Sequence, residues 1–327
     1  MRNHPPSYFE DCARPTTAER EVESRNESAS ARMSTPVSRN PGPSWGYQFM
    51  CLCDAVLPEF LFRLVRITGT WAAVITMPEQ RGHSRIYLRA AMSREPTWGD
   101  IFRHFYAFEE FLMLRLRVAR GLAHRGELAS DAAGFRELLA SGEPALLGTF
   151  HVGHSDLTGF LLGPQERRRV FMVRQRVDNS HDTEVLGARF GEWVTFIWVN
   201  EPENLLFALK DAVASGGSVA LKCDRLEFSA KTEAFEFLGA KRLFPFTIYH
   251  LALIFRLPVV LCVGLPAGRG RSTVHSSPLF RPDDGGKASN LVRARAHFQE
   301  FLTRLESFLR EDPLLWFNFT PLNPPAP

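Results

Sequence analysis

From about residue 143 onward, short apolar runs rich in β-formers alternate with longer segments of helical spacing. The runs are "ALLGTF", "VFMVRQ", "WVTFIWV", "SVALKCD" and "PVVLCVG". One of the intervening segments, "PENLLFALKDAVASGG", has Pro202 near its start and a glycine pair at its end, as helices often do. Strands that alternate with helices predict an α/β fold with a mostly parallel central sheet flanked by helices.

Residues 47 to 125 are predicted to be helical. The stretch "PTWGDIFRHFYAFEEFLMLRLRVARG" opens with a proline and a threonine, continues with helical apolar spacing and ends in Gly121. Upstream of it, "FMCLCDAVLPEFLFRLVRITGTWAAVITM" is apolar but interrupted by four charged residues, so no ordinary transmembrane helix is predicted. It is expected either to lie along a membrane surface as an amphipathic segment or to pack on the protein body.

The first 45 residues are rich in Ser, Pro, Arg, Glu and Asn and contain no apolar signal region. Such a composition buries too little surface to offset chain entropy. The predicted organisation is therefore a disordered tail over 1–45, a helical and possibly membrane-associating region over 46–125, and an α/β core over 126–327.

Charge and composition narrow the classes of partner. The formal net charge is +3, and no stripe of Lys and Arg is interleaved with stacking aromatics, so nucleic acid is not an expected partner. The mild positive charge favours anionic lipid headgroups or an acidic carrier protein. The five cysteines fit neither a disulfide framework nor a zinc site, which indicates a reducing compartment. The 27 phenylalanines suit greasy ligands or a Phe-packed core, and the core is the commoner explanation.

The candidate chemistry is concentrated in "LLGTFHVGHSDLTGFLL", residues 147 to 163, where a predicted strand runs into a predicted helix. Such junctions collect reactive groups in α/β sheets. A serine hydrolase would use Ser155, but its nucleophile elbow needs a small residue two positions later, and Leu157 is bulky. A metal site would use His151, His154 and Asp156, yet these fall at a turn and no other cluster has ligand spacing. No metal is therefore expected.

The third interpretation pairs His151 with Asp156. On one continuous helix, positions five apart lie about 140° apart around the axis and cannot meet, whereas across a strand-to-helix turn they can. A carboxylate that holds one imidazole nitrogen makes the other more basic. The nucleophile would then be a hydroxyl of the substrate. We predict this histidine–carboxylate dyad.

The spacing from His151 to Asp156 resembles the H-x4-D/E motif of the lysophospholipid acyltransferase superfamily. It is most similar to the branch that contains the lauroyl and myristoyl acyltransferases of lipid A biosynthesis, whose motif usually has Glu. Further blocks follow in the family's order: "GGSVALKCDR" with Asp224 and Arg225, "FEFLGAKRLFPFTIYHLALIFRLPVVLCVG", and "EDPLLWFNF". Together they cover about residues 55 to 320. His154, Ser155 and Cys223 depart from the usual pattern, which bears on the acceptor more than on the reaction.

The resemblance implies transfer of a fatty acyl group from a thioester of acyl carrier protein or coenzyme A to a hydroxyl of a lipid or glycolipid. His151 would be the general base and Asp156 its partner, without a cofactor. Asp224 and Arg225 would shape the site or contact the acceptor.

Arg174, Lys241 and Arg242 are further candidates for binding substrate phosphates, with solvated surface charge as the alternative for Lys241 and Arg242. The resemblance implies a peripheral or monotopic protein on the cytoplasmic face of the cell membrane. Two rival functions stay open: a hydrolase or thioesterase, and a non-catalytic lipid-binding protein.

Overall fold

A computed structural model of the chain describes residues 44–166, 168–175, 181–199, 202–226, 229, 231–268 and 270–323. The predicted disordered tail, residues 1–45, falls outside this part of the chain except for its last two residues, which begin the first helix.

A central sheet of seven strands organises the fold, in the order β1-β9-β8-β2-β5-β3-β4. Its strands are β1 Arg125–Leu128, β2 Leu146–Thr149, β3 Val170–Arg174, β4 Val194–Trp198, β5 Ser218–Lys222, β8 Val259–Pro266 and β9 Arg271–Ser276. All neighbouring pairs are parallel except β8 with β9. The predicted α/β class with a mostly parallel sheet is therefore confirmed.

The helices cover both the N-terminal region and the faces of the sheet. They are α1 Ser44–Val56, α2 Glu59–Thr76, α3 Pro78–Met92, α4 Trp98–Ala119, α5 Ala133–Ser141, α6 Ser155–Glu166, α7 His181–Phe190, α8 Pro202–Ala214, α9 Thr247–Phe255 and α10 Gly286–Glu311. A 3-10 turn, Pro313–Leu315, follows the last helix. The start of α4 shows why the sequence folds this way: Thr97 and Asp100 form a reciprocal capping box.

Five of the strands coincide with the five β-rich runs in the sequence, whereas four strands were not predicted. Strand β1 at the edge of the sheet and its neighbour β9 are short and polar, so they lack the apolar run by which the other strands were predicted. A separate antiparallel hairpin is formed by β6 Thr232–Phe237 and β7 Ala240–Pro245. Its turn contains Leu238 and Gly239, both with positive φ.

Helix α2 packs on the protein through a face that is not its most apolar one. Its buried residues are Phe62, Arg66, Thr70 and Val74. The opposite face exposes large apolar side chains and continues onto α1: Leu52, Val56, Phe60, Leu64 and Ile75. No single helix in the described ranges is long and apolar enough to cross a bilayer; α2 and α3 would suffice together, but they are bent by 95° at their junction.

The phenylalanines of the β6–β7 hairpin fill the core. Phe235, Phe237, Phe244 and Phe246 are at most 3% exposed. Three of them contact the ring of Phe298 on α10. These side chains are packed against one another rather than around an open channel, as the commoner explanation predicted.

Two glycines provide a test of how closely α5 packs against the chain after β9. A Cβ at Gly134 would lie 2.2 Å from the Ser277 carbonyl oxygen, a backbone atom that cannot move aside cheaply, whereas a Cβ at Gly82 in α3 would meet nothing within 4 Å. We expect Gly134→Ala to lower the free energy of unfolding by about 1–3 kcal/mol through overpacking. The matched Gly82→Ala should raise it by roughly 0.5–1 kcal/mol, because alanine is the better helix former. Urea denaturation followed by circular dichroism measures both free energies of unfolding. Equal changes in the two variants would contradict the close contact between Gly134 and Ser277.

Candidate active site

The site is built where two neighbouring parallel strands end. Strand β2 pairs with β5 in a register that sets Thr149 opposite Lys222. Two residues further along each chain are His151 and Asp224. Because the carboxyl ends of parallel strands meet at one edge of the sheet, this register brings the two side chains together.

Asp224 holds the imidazole of His151. The Nδ1 atom of His151 lies 2.8 Å from Oδ1 of Asp224, and the backbone N–H of His151 donates to Oδ2 at 2.7 Å. The indole N–H of Trp316 also donates to Oδ2, at 2.9 Å. A carboxylate can only accept, so Nδ1 carries the proton and Nε2 keeps its lone pair.

The predicted contact between His151 and Asp156 is not formed in this structure. Asp156 lies in the first turn of α6, and its carboxylate forms ion pairs with Lys222 and with Arg115, whose Nη1 is 3.3 Å away. Asp224 takes the role assigned to Asp156 because the strand register aligns it with His151. Asp224 was itself a candidate, although without this role.

The two carboxylates are both kept ionised, by different neighbours. Burial raises the pKa of Asp224, but the charge of His151 and its hydrogen bond outweigh burial and hold that pKa well below its usual range. Burial likewise raises the pKa of Asp156, and there Lys222 and then Arg115 outweigh it. Lys222 also donates to the Phe150 carbonyl at 3.0 Å, which fixes it beside the turn.

The turn between β2 and α6 is fixed by close backbone contacts. Gly153 has φ +51°, and a Cβ there would lie 2.6 Å from the Gly264 carbonyl oxygen, so both conformation and space require glycine. The N–H of Gly153 donates to the Leu315 carbonyl, and the N–H of Phe317 donates to the His151 carbonyl. The C-terminal segment, residues 312–323, thus binds both sides of the turn that carries the imidazole.

Ser155 does not have the environment of a nucleophile. Its hydroxyl donates to the Val152 carbonyl at 2.6 Å and accepts the N–H of Gly264 at 3.0 Å. The residue is 3% exposed. Both contacts fix the start of α6, so the side chain acts as a structural cap.

His154 points away from His151 and belongs to a separate buried cluster. Its Nδ1 lies 2.8 Å from the hydroxyl of Ser272, which is also 2.7 Å from Nε2 of His124. Burial, and then the charge of His124, lower the pKa of His154 to about 4. No group of three or more metal-ligating side chains occurs among the described residues.

Trp316 contacts Asp224, and His104 contacts Trp316. The sequence analysis did not single out either as a site residue. Besides its indole contact with Asp224, Trp316 accepts a hydrogen bond at its carbonyl from Nε2 of His104, 2.9 Å away. Nδ1 of His104 lies 2.8 Å from the hydroxyl of Ser84, and the ring of Tyr87 packs edge-on to the indole. The closing "PLLWFNF" run was quoted as a motif, but only the structure connects its tryptophan to Asp224.

The other candidate residues divide into two groups. Arg225 lies at the site: its Nε is 3.5 Å from Nδ1 of His151, and its guanidinium also contacts Thr320. Arg174, at the end of β3, lowers the pKa of Asp156 through its charge and sits over the ring of Phe196.

Two candidates lie elsewhere, on the β6–β7 hairpin. Lys241 is exposed, with its Nζ 4.0 Å from Glu236. Arg242 donates to the carbonyls of Phe237 and Asn323. Neither residue contacts the His151 cluster through any interaction found among the described residues.

This arrangement is suited to general base chemistry. The imidazole is fixed through Nδ1, and its side chain remains 31% exposed. Burial lowers the pKa of His151, Asp224 counteracts that effect, and Lys222 and Arg225 reinforce it. The ring is therefore neutral at pH 7 and able to take up a proton.

The pairing can be tested through the pKa of His151. Asp224→Asn removes the charge that favours the imidazolium, so the already lowered pKa of His151 should fall further. Asp156→Asn is the matched control, and it should change that pKa less, because Lys222 and Arg115 already neutralise the carboxylate. NMR titration of labelled histidines measures both. A larger shift from Asp156→Asn would restore the pairing predicted from the sequence.

Comparisons with known proteins show similarity to solved structures and none to family models or curated proteins. Among solved structures, the 1-acyl-sn-glycerophosphate (LPA) acyltransferase PlsC from Thermotoga maritima is similar with a TM-score of 0.36 at 12% sequence identity. The match covers 76% of this chain and 97% of that chain. An overlap this loose does not by itself identify a family or an activity.

Proposed function

We propose that the chain is an acyltransferase that moves a fatty acyl group from a thioester to a hydroxyl of a lipid or glycolipid. The observation that carries this proposal is the His151 imidazole, which is held by Asp224 while its side chain stays 31% exposed. The nearby Ser155 hydroxyl is committed to structural contacts. A base that forms no hydrogen bond with an enzyme nucleophile among the described residues suits an acceptor that brings its own hydroxyl.

The proposed reaction proceeds in two proton transfers. Nε2 of His151 takes the proton of the acceptor hydroxyl while its oxygen attacks the thioester carbonyl carbon. The tetrahedral intermediate then collapses, the carbon–sulfur bond breaks, and the imidazolium returns the proton to the departing thiolate. The products are an ester and the free thiol of acyl carrier protein or coenzyme A. The reaction needs no metal or redox cofactor.

Positive charge near the imidazole supports the negatively charged intermediate. Lys222 and Arg115 are fixed beside the turn by Asp156, and the amino end of α6 adds the positive end of a helix dipole. In this proposal Asp156 serves the reaction by placing cations, whereas Asp224 orients the base. Arg225 and Arg174 lie at the same edge and would contact an anionic group of donor or acceptor.

The alternatives make different predictions for two substitutions. We expect His151→Ala to reduce acyl transfer by roughly 100- to 10,000-fold, the usual contribution of a general base. Ser155→Ala should keep most of the turnover and lower stability instead. The measurement is mass spectrometry of lipids from cells expressing each full-length variant, in which the active protein yields a species heavier by one acyl group.

Three outcomes would replace the proposal. Loss of turnover in Ser155→Ala with retention in His151→Ala would favour a serine hydrolase. Free fatty acid in place of an acylated lipid would indicate a thioesterase. A lipid-binding protein would give no new species with either the wild-type chain or the variants.

We further propose that the protein is peripheral to the cytoplasmic face of a membrane and docks through α1 and α2. The exposed side of these helices presents Leu52, Val56, Phe60 and Leu64, while the buried side of α2 contains Arg66. Apolar groups turned outward and a guanidinium turned inward suit contact with a bilayer better than with water. The mild positive charge of the chain favours anionic lipids.

This docking surface can be tested with vesicles. The double variant Phe60→Ser and Leu64→Ser should lower binding to anionic vesicles at least tenfold, since burying each of these side chains contributes about 1.5–3 kcal/mol. The matched control is Ile254→Ser on α9, which removes a side chain that is 66% exposed on a different helix. Co-sedimentation measures how strongly the double variant and the control bind the vesicles. Equal loss in the control, or no loss in the double variant, would contradict docking through α1 and α2.

A further inference from the structure

An open cleft separates α3 from the hairpin and the C-terminal segment. Its volume is about 440 Å³. Its walls include His83, Ile86 and Arg89 from α3, Arg242 from β7, and Leu322 from the C-terminal segment. Three of these five side chains are basic, and no acidic side chain lines the cleft.

Arg242 is the cleft cation whose charge is least neutralised by nearby carboxylates. Its Nε donates to the Phe237 carbonyl at 3.2 Å and its Nη1 to the Asn323 carbonyl at 3.1 Å. These carbonyls are neutral, and within the described part of the chain no carboxylate forms an ion pair with Arg242. Partial burial, the only cause of a shift here, lowers its pKa. The two contacts hold the guanidinium rigidly at the wall of the cleft while its charge remains unneutralised.

Arg89 adds charge from the opposite wall. Its Nε contacts Glu95 at 2.6 Å, but the same carboxylate also holds Arg85 at 2.6 Å. One carboxylate between two guanidiniums leaves a positive excess. His83 lies about one turn before Ile86 on the same helix, with Nε2 3.6 Å from Glu79. Together with Ile86 and Leu322, the cleft combines cationic and apolar surface.

The same C-terminal segment contacts both the cleft and the active site. At one end of this segment, the Phe317 N–H donates to the His151 carbonyl and Thr320 contacts Arg225. At the other end, Leu322 lines the cleft. Five residues span at most about 18 Å even when fully extended, so Leu322 at the cleft wall lies within that distance of the backbone that binds His151.

We propose that this cleft binds the phosphate group of a phosphate-bearing amphiphile, with Arg242 and Arg89 as its anion ligands and Ile86 and Leu322 contacting its apolar part. Guanidinium groups suit this role because their planar set of donors matches phosphate oxygens. Binding itself does not depend on the reaction at His151. That the bound molecule is a substrate of His151 rests on the proposed acyltransferase function.

The test uses decyl phosphate with the full-length chain, and decanol as the uncharged amphiphile of equal chain length. Isothermal titration calorimetry below the micelle concentration should show binding of decyl phosphate and much weaker binding of decanol. Arg242→Gln and Arg89→Gln should each weaken decyl phosphate binding by about tenfold, as expected for loss of a hydrogen bond to a charged group. Arg89 is 57% exposed, so its variant keeps the proposal testable if Arg242→Gln fails to fold.

Lys241→Gln is the matched control. It removes the exposed cation next to Arg242 on β7, but Lys241 does not line the cleft, so binding should remain as in the wild type. His151→Ala should also bind normally, which separates this proposal from the proposed reaction. Unchanged binding in both Arg242→Gln and Arg89→Gln, or equal binding of decanol, would overturn it.

Two sources of the phosphate give different results with vesicles. If Arg89→Gln also weakens co-sedimentation with phosphatidylglycerol vesicles, the cleft binds a headgroup within the bilayer. If only decyl phosphate binding is weakened, the cleft binds a phosphate on a molecule that leaves the bilayer or never enters it. Both results support an anion site in the cleft, and they identify where its ligand comes from.

Discussion

The carboxylate of Asp224 is the contact on which the site depends. It is 1% exposed, and a buried charge of this kind is tolerated only when its oxygens are fully paired. The pairing comes from the backbone and ring of His151 and from the indole of Trp316. Because these donors lie at the end of β2 and after α10, one buried charge ties together segments that are far apart in sequence. The imidazole is oriented as a consequence of satisfying that charge.

The second carboxylate at the same sheet edge has a different electrostatic task. Asp156 pairs with Lys222 and Arg115 and leaves the imidazole to Asp224. Two acids beside one histidine would repel each other if both had to share it. Lys222 and Arg115 neutralise Asp156, so the two carboxylates have separate partners. The same arrangement gathers positive charge next to His151, where the proposed intermediate becomes negative.

The sequence predicts the fold class and the location of the site better than the contacts within it. Apolar runs locate five strands, and the polar residues of the β2–α6 turn identify its edge. Pairing across strands depends on register, which a local spacing such as His151 to Asp156 does not contain. One available signal was the alternation in "LKCD", which would place Lys222 and Asp224 on the same side if the strand continued beyond Lys222. Arg115 reads as a solvated helix charge, yet it is 7% exposed, because its partner comes from 41 residues away.

Helix α4 connects the proposed membrane face to the chemistry. Its Arg117 pairs with Asp54 on α1, between three and four turns from the point where His104 of the same helix contacts Trp316. Arg115, between them in sequence, reaches Asp156. A helix that contacts both α1 and the site would fix the height of the imidazole above the proposed docking surface. An acceptor hydroxyl presented by a lipid would then meet His151 at a depth set by this helix, without insertion of the catalytic core into the bilayer.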